Sequence, residues 1–281
     1  MKPDSPAAPA VPRFGLIVIG DEILSGKRQD KHLPKVIELL GARGLRLDWA
    51  RYVGDDRAAI TEVLRQAFAS GDVVFSTGGI GATPDDHTRQ AAAAALGVEA
   101  VLHPEAKVLI EQRMREVAAQ QGMPFEPDRP DHVHRLNMGV FPVGARLIPN
   151  PYNRIPGFAC DGPGGGTVHF VPGFPVMAWP MIEWVLDTGY RAYFGQSQQC
   201  ERSIIVLDGI EAMLTPLMER IEAEHPGVKV FSLPSVDHPQ WGRHIELGVK
   251  GPDAAAKAAY DAMLDALRTM PVRLGPELVR Q

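Results

Sequence analysis

The segment Thr77-Gly78-Gly79-Ile80-Gly81-Ala82-Thr83-Pro84-Asp85-Asp86-His87-Thr88 holds the densest set of chemistry-bearing residues in the chain. Its three glycines let the backbone adopt positive φ and bring successive N–H groups close to a ligand with no Cβ in the way. A helix expected over residues 85–96 would aim its N-terminal N–H groups and the positive end of its dipole at the same place. Thr77, Thr83 and Thr88 add hydroxyl donors. These features describe a site for a phosphate-bearing or other anionic small molecule. Asp85 and Asp86 would repel a bare phosphate, so their presence beside an anion nest points to a bridging divalent cation such as Mg²⁺. A plainer alternative is capping, with Thr83 as N-cap, Pro84 at the first helical position and acids favoured by the dipole. Capping leaves Thr77-Gly78-Gly79-x-Gly81 unexplained. The loop is not a Walker A sequence, since no Gly-Lys-Ser/Thr follows, nor a G-x-G-x-x-G dinucleotide fingerprint.

The elements around this loop must hold it at the end of a sheet. Residues 14–19 are a continuous apolar run ending at Gly20, the pattern of a buried parallel strand. Helical spacing follows over 30–43, a second strand over 45–53, an amphipathic helix over 57–69 and a third strand over 72–76 that runs into the glycine loop. Alternating strands and helices of this kind force a parallel sheet covered on both faces. Further helices are expected over 105–120 and 176–186, and one more buried strand over 168–171. In such a sheet ligands bind at the carboxyl ends of the strands, where the strand order reverses. Three strand ends carry candidates: Gly20-Asp21-Glu22, Gly54-Asp55-Asp56 and the glycine loop. For Asp21-Glu22, a ligand role and a structural role with Glu22 capping the next turn are equally open.

The expected organisation is a loose Pro/Ala-rich tail over 1–12, an α/β domain over 13–188 and a small α+β domain over 189–281. The last is read from strands at 203–207, 228–233 and 244–249 and helices at 209–224 and 253–270. The fold class is thus α/β, a three-layer α/β/α arrangement with a mostly parallel sheet, plus the small α+β domain. A chain of 281 residues with 45% hydrophobic and 22% charged residues has material for two real cores. Its net charge of −5, from 29 Lys+Arg against 34 Asp+Glu, argues against a nucleic-acid coat. No apolar run approaches the roughly 20 residues of a membrane span, and the tail lacks the apolar core of a signal peptide. A cytoplasmic location is expected, with Cys160 and Cys200 read as two lone thiols rather than one disulfide.

Other features carry less. His132-x-His134 could set two imidazoles on one side of a strand as metal ligands, but no Cys or third His lies nearby in sequence. The Gly164-Gly165-Gly166 run reads as a flexible loop. The Met and Trp residues over 177–184 are spaced to pack a helix on the sheet. Arg243 and His244 show no chemistry of their own.

The sequence Thr77-Gly78-Gly79-x-Gly81-x-Thr83-Pro84-Asp85-Asp86-x-Thr88 resembles the signature of the molybdenum-cofactor-biosynthesis (MoCF) domain, the molybdopterin-binding, MoaB/Mog-like family. The form is that of the CinA N-terminal region and the similar domain of eukaryotic FAD synthases. Gly20-Asp21-Glu22-Ile23-Leu24-x-Gly26 resembles the family's opening motif, and Val53-Gly54-Asp55-Asp56 its strand end. Pro149-Asn150-Pro151 and Pro172-Gly173-Phe174-Pro175 resemble its later loops. Gly209-Ile210-Glu211 and residues 242–246 are similar to the CinA middle domain. The longer members' C-terminal nicotinamide-nucleotide amidase domain has no counterpart, so that activity is not expected.

The resemblance implies a site for molybdopterin or an adenine-nucleotide diphosphate, with Asp55 and Asp86 as catalytic and metal-side acids on a divalent cation. Gly20, Asp21, Glu22, Thr77, Gly78, Gly79, Gly81, Thr83, Asp85, Thr88, Pro172 and Gly173 would line it. Some CinA-type relatives hydrolyse the pyrophosphate bond of ADP-ribose or similar nucleotides, so a metal-dependent nucleotide pyrophosphatase of the ADP-ribose or FAD type is expected. The alternative is a molybdopterin-binding protein without turnover. The expected partners are a small phosphorylated ligand and further copies of the chain in a dimer or trimer, with no nucleic acid and no membrane.

Overall fold

The computed structural model describes residues 11–195 and 199–280. Of the expected tail, residues 1–10 lie outside the described residues, and Val11 packs against the core. The chain divides into two compact units, Met1–Phe194 and Gly195–Gln281. The division falls after 194 rather than 188 because Tyr190, Tyr193 and Phe194 pack on the first unit's core.

The first unit runs β1 (Phe14–Ile19), α1 (Asp21–Leu24), α2 (His32–Gly41), β2 (Leu47–Val53), α3 (Arg57–Ala69), β3 (Val73–Thr77) and α4 (Thr88–Leu96). It continues through β4 (Ala100–Leu102), α5 (Pro104–Gln120), α6 (Pro130–Arg135), β5 (Val140–Pro142) and β6 (Arg146–Ile148). β7 (Gly157–Asp161), β8 (Thr167–Val171) and α7 (Pro175–Gly189) complete it. The main sheet has the order β2-β1-β3-β8-β7-β6. Its first four strands are mutually parallel; β7 pairs antiparallel with β8, and β6 antiparallel with β7, so β6 runs with the first four. The chain leaves β1 to one side for β2 and returns to the other for β3, which makes a switch point beside β1.

Alternation along each strand divides the core between two faces. Ile17, Val74, Val168 and Phe170 point to a cluster covered by α3, α4 and α5 through Ile60, Leu64, Phe68, Ala91 and Ala106. Leu16, Val18, Phe75 and Val171 point to the opposite cluster, covered by α2 and α7 through Val36, Leu40, Met181 and Ile182. Each large side chain so buried contributes about 1.5–3 kcal/mol. Phe158 and Phe170 stack at 4.3 Å between ring centroids and tie the antiparallel strands to the parallel ones. Ala91 and Ala92, both fully buried, let α4 lie close against α3.

Several expectations need correction. The helix after the glycine loop begins at Thr88 and not at Asp85, so Pro84-Asp85-Asp86 is not a helical first turn and the capping alternative fails. Glu22 lies in the first turn of α1 and makes no side-chain cap, which removes its capping reading. His132 and His134 lie on a helix, not a strand; His132 Nδ1 meets Glu126 O at 2.6 Å and His134 Nε2 meets Ala82 O at 2.5 Å. The 164–166 run is no loose loop: Gly164 N–H donates to Phe68 O at 3.1 Å, and a Cβ there would meet Ala69 O at 2.4 Å. The turn is packed onto the end of α3.

The second unit runs β9 (Gln199–Leu207), α8 (Glu211–Glu224), β10 (Lys229–His238), β11 (Gly242–Pro252), α9 (Asp253–Leu267) and β12 (Arg273–Arg280). Its sheet is antiparallel, in the order β10-β11-β9-β12, a β-α-β-β-α-β arrangement of ferredoxin-like topology. Ile204, Val206 and Leu247 meet Leu214, Ile221, Ala259 and Met263 of the two helices in one core. No helix among the described residues is long and apolar enough to cross a membrane. Cys160 and Cys200 are buried free thiols, and burial pushes the Cys160 thiol up to about 12, far from reactivity.

Candidate functional site

Parallel register brings the strand ends level. Ile19 pairs with Val53, Val18 with Thr77, and Thr77 with Val171. The segments that follow β1, β2, β3 and β8 therefore emerge side by side at the switch point. Gly20 N–H donates to Val53 O at 3.0 Å, and Gly78 N–H donates to Val171 O at 3.1 Å, extending the ladder one step into the loops. A cleft of about 460 Å³ opens there.

Gly78 and Gly79 take φ of 100° and 67°, a region side-chain-bearing residues rarely adopt. A Cβ on Gly78 would stand 2.3 Å from Ile19 O, and one on Gly79 2.1 Å from Thr88 Oγ1. The loop thus presses directly against β1 on one side and α4 on the other. The N–H groups of Gly79, Ile80, Gly81 and Ala82 have no protein acceptor among the described residues, and all four residues line the cleft. Consecutive unpartnered donors of this kind form an anion-binding concavity. The donors at the cleft come from the loop: Thr88 N–H already donates to Gly79 O at 3.0 Å, and no residue of α4 lines the cleft.

The acids stand around this concavity. Glu22, Asp55, Asp85 and Asp86 line the cleft. Asp55 and Asp21 are linked reciprocally: Asp21 N–H donates to Asp55 Oδ2 at 2.8 Å, and Asp55 N–H to Asp21 Oδ1 at 3.2 Å. Burial pushes the Asp55 carboxyl above the usual carboxylate range, against the Asp21 N–H that donates to it, and Asp21, Asp85 and Glu22 push it the same way as burial. Asp86 Oδ2 accepts from Thr83 N–H at 2.8 Å and from the Thr83 hydroxyl at 2.5 Å, folding the loop back on itself. Asp56, by contrast, caps α3, accepting from Ala59 N–H at 2.7 Å.

Of the residues expected from sequence, Gly20, Glu22, Asp55, Gly78, Gly79, Gly81, Thr83, Asp85, Asp86, Pro172 and Gly173 come together on the cleft wall. Asp21 stands behind Asp55 as its partner. Thr77 and Thr88 do not reach the cleft; both are buried, and the Thr88 hydroxyl donates to Gly78 O at 3.0 Å. They hold the loop and do not present donors to a ligand.

Sequence reasoning missed the far wall. Arg28 follows α1, while Asn150, Asn153, Ile155, Pro156 and Met177 close the cleft from the β6–β7 connection and α7. Asn150 is buried, and its amide donates to Asn153 Oδ1 at 2.9 Å and Ile155 O at 3.0 Å, so this wall is internally fixed. The Pro149-Asn150-Pro151 motif was the signal that could have located it. His32 is a second omission: its buried Nε2 lies 3.0 Å from Gly173 O and props the loop after β8, and burial lowers its pKa.

Among the described residues no three His, Cys, Asp or Glu side chains converge on a point that would cage a metal ion. Asp55 Oδ1 and Asp86 Oδ1 accept no hydrogen bond from the described residues. That donor set fits a hard cation shared with a ligand's phosphates, which is the usual way Mg²⁺ binds, better than one held by protein alone.

Fold and cleft together define a doubly wound α/β protein with a cleft at its switch point. Residues 15–192 match the family described as "Probable molybdopterin binding domain", and the chain belongs to that family, in its CinA-like form. A protein of Pyrobaculum calidifontis is 31% identical over 260 residues, 92% of this chain and 95% of its own. A CinA-like protein of Citrifermentans bemidjiense is 33% identical over 208 residues, 74% of this chain but 47% of its own. The chain spans about half the length of the CinA-like relatives it matches. The crystal structure of a CinA protein of unknown function from Thermoplasma acidophilum superposes with a TM-score of 0.53 at 26% identity, over 63% of this chain and 97% of that one. Family and cleft agree on a ligand-binding role.

Proposed function

We propose that the cleft binds an adenine-nucleotide diphosphate or a phosphorylated pterin together with a divalent cation, and that it cleaves the diphosphate bond of the nucleotide. The observation that carries this reading is the row of unpartnered N–H groups from Gly79 to Ala82 flanked by Asp55 and Asp86. Four donors hold the phosphoryl oxygens in place and withdraw charge as the bond breaks. A divalent cation of the Mg²⁺ kind would be held by Asp55 and Asp86 and would supply charge neutralisation at the phosphates. Without that neutralisation the cleft's carboxylates repel the ligand. Asp21 fixes Asp55, and Thr83 fixes Asp86, so neither acid has to be ordered when the ligand arrives. Water adds to one phosphorus, the bridging P–O bond breaks, the bridging oxygen leaves on the second phosphate and a proton passes to solvent.

A second reading, binding without turnover, is supported by the match of residues 15–192 to a family described as a probable molybdopterin binding domain. The experiment that separates them is AMP release from ADP-ribose, FAD and NAD with Mg²⁺, Mn²⁺ or Co²⁺. The expected result is cation-dependent release that falls at least about a hundredfold in Asp86→Ala, the scale of a lost electrostatic stabiliser. No release from any of the three by the folded protein would overturn the hydrolytic reading in favour of the binding one.

A further inference from the structure

The cleft wall holds four carboxylate side chains and, among the described residues, a single cationic one, Arg28. Its position is built and not incidental. The turn that carries it is closed by Ser25 N–H donating to Asp21 O at 2.8 Å, Gly26 N–H to Ile23 O at 3.1 Å and Arg28 N–H to Glu22 O at 2.9 Å. Beyond Arg28 the chain is fixed again at Asp30, whose carboxylate accepts from His32 N–H at 2.8 Å, Leu33 N–H at 3.1 Å and the Tyr52 hydroxyl at 2.7 Å. Arg28 therefore sits on a short span pinned at both ends.

Its guanidinium makes no ion pair with Glu22, Asp55, Asp85 or Asp86, although all of them line the same cleft. Several other arginines of the first unit do pair with acids, as Arg43 does with Asp187 and Arg146 with Asp161, although Arg89, near Asp86, does not. An exposed arginine that lines the cleft and has no carboxylate partner suits a tetrahedral oxyanion, which its guanidinium can grip through two parallel N–H bonds. The glycine loop supplies donors for one phosphoryl group. Arg28 belongs to a different element of the cleft wall, the turn after α1.

We infer that Arg28 clamps a second phosphate, so that the cleft selects diphosphate-bearing ligands over monophosphates. This rests on the reading of the cleft as a phosphate site given above and narrows its ligand class: a nucleoside diphosphate is bound through both phosphates, whereas a ligand with one phosphate uses the glycine loop alone.

The test is calorimetric titration, with Mg²⁺ present, of α,β-methylene-ADP, whose P–C–P bridge water cannot cleave, and of AMP. The wild type is compared with Arg28→Ala and Arg28→Lys; the side chain is exposed, so neither change disturbs a core. Arg28→Ala is expected to weaken α,β-methylene-ADP at least about tenfold while changing AMP affinity by less than about twofold, the difference between losing and keeping one charge-assisted bidentate contact. Arg28→Lys is expected to recover only part of the loss, because an ammonium cannot form the fork. Equal weakening of both ligands, or no change in either, would overturn the inference while leaving the phosphate site intact. Failure of the wild type to bind either ligand would overturn the phosphate reading and this inference with it.

Discussion

The two units handle polar groups in opposite ways. In the second unit several charged side chains on the sheet are matched to one another. Glu246 accepts from the Ser203 hydroxyl and from Arg280, Lys250 meets Glu201 at 2.5 Å, and Arg273 meets Asp208 at 2.5 Å. In the first unit the strand ends leave four backbone donors, several acids and one arginine facing a cleft without mutual pairing. Unmatched polar groups cost stability unless something binds them. Their concentration at a switch point, rather than at scattered surface positions, marks the first unit as the one shaped around a ligand. Two glycines also differ in kind: the missing Cβ at Gly78 makes room for the backbone of β1, and that at Gly248 in β11 for the side chains of Phe231 and Ser203.

That last contrast yields the largest expected effect. Gly78→Val sets a β-branched residue at φ 100° with its Cβ 2.3 Å from a backbone oxygen that cannot move without shifting β1. The backbone strain alone should cost about 1–3 kcal/mol, read as a lower urea midpoint, and phosphate-ligand binding should be abolished in whatever folds. Gly248→Ala in β11 also meets close neighbours: Phe231 Cζ at 2.4 Å is the end of a side chain that can rotate, but Ser203 Cβ at 2.6 Å moves only with β9. The position carries no positive-φ strain, and the change should destabilise the second unit while leaving ligand affinity unchanged. If Gly248→Ala damaged binding as much as Gly78→Val, the division of labour between the units would be wrong.

A smaller effect separates the units by pH. Burial holds the His169 imidazole down at about 3, helped by Arg146, against an ordinary value of 6.5. Below 6.5 the unfolded chain takes up a proton that the folded first unit refuses. The stability contributed by the neutral ring is therefore full above pH 6.5 and lost progressively as pH falls towards 3, by at most about 1.4 kcal/mol per pH unit. In the second unit the Glu246 carboxyl is held below its ordinary value chiefly by the Arg280 hydrogen bond, so its contribution is lost only once pH falls through the carboxylate range. Thermal unfolding followed from pH 7 to 5 should show a falling midpoint for the wild type and a flatter one for His169→Phe. Parallel slopes would show that His169 is not what sensitises the first unit.

The sequence revealed most where one signal dominated. β1 and β3 read as continuous apolar runs because both of their faces are covered, and α3 was bounded correctly by Asp56 and Ala69. The glycine loop was legible because its three glycines serve three separate close approaches. The reading failed where local patterns competed. β6 has three residues, and β7 lies between proline- and glycine-rich stretches that look like loop. β12 contains Gly275 and Pro276, which an edge strand tolerates beside its register shift. Asp85 and Asp86 imitate the acids of a helix start, which drew the expected beginning of α4 to Asp85. Thr77 and Thr88 have the residue type of ligand contacts, and only packing shows that their hydroxyls face inward. Arg28 is brought to the glycine loop by the fold alone, and no spacing in the sequence joins it to the loop.

The central claim, that the Gly79–Ala82 backbone binds phosphate, is tested most directly by amide chemical shifts. Uniformly ¹⁵N-labelled protein would be titrated with α,β-methylene-ADP and Mg²⁺, following the resonances of Gly79, Ile80, Gly81 and Ala82. The predicted result is saturable downfield movement of these four amides, as free donors acquire an anionic acceptor, with the second unit's amides unmoved. Saturable shifts confined to other residues, with these four amides unchanged at saturation, would contradict it.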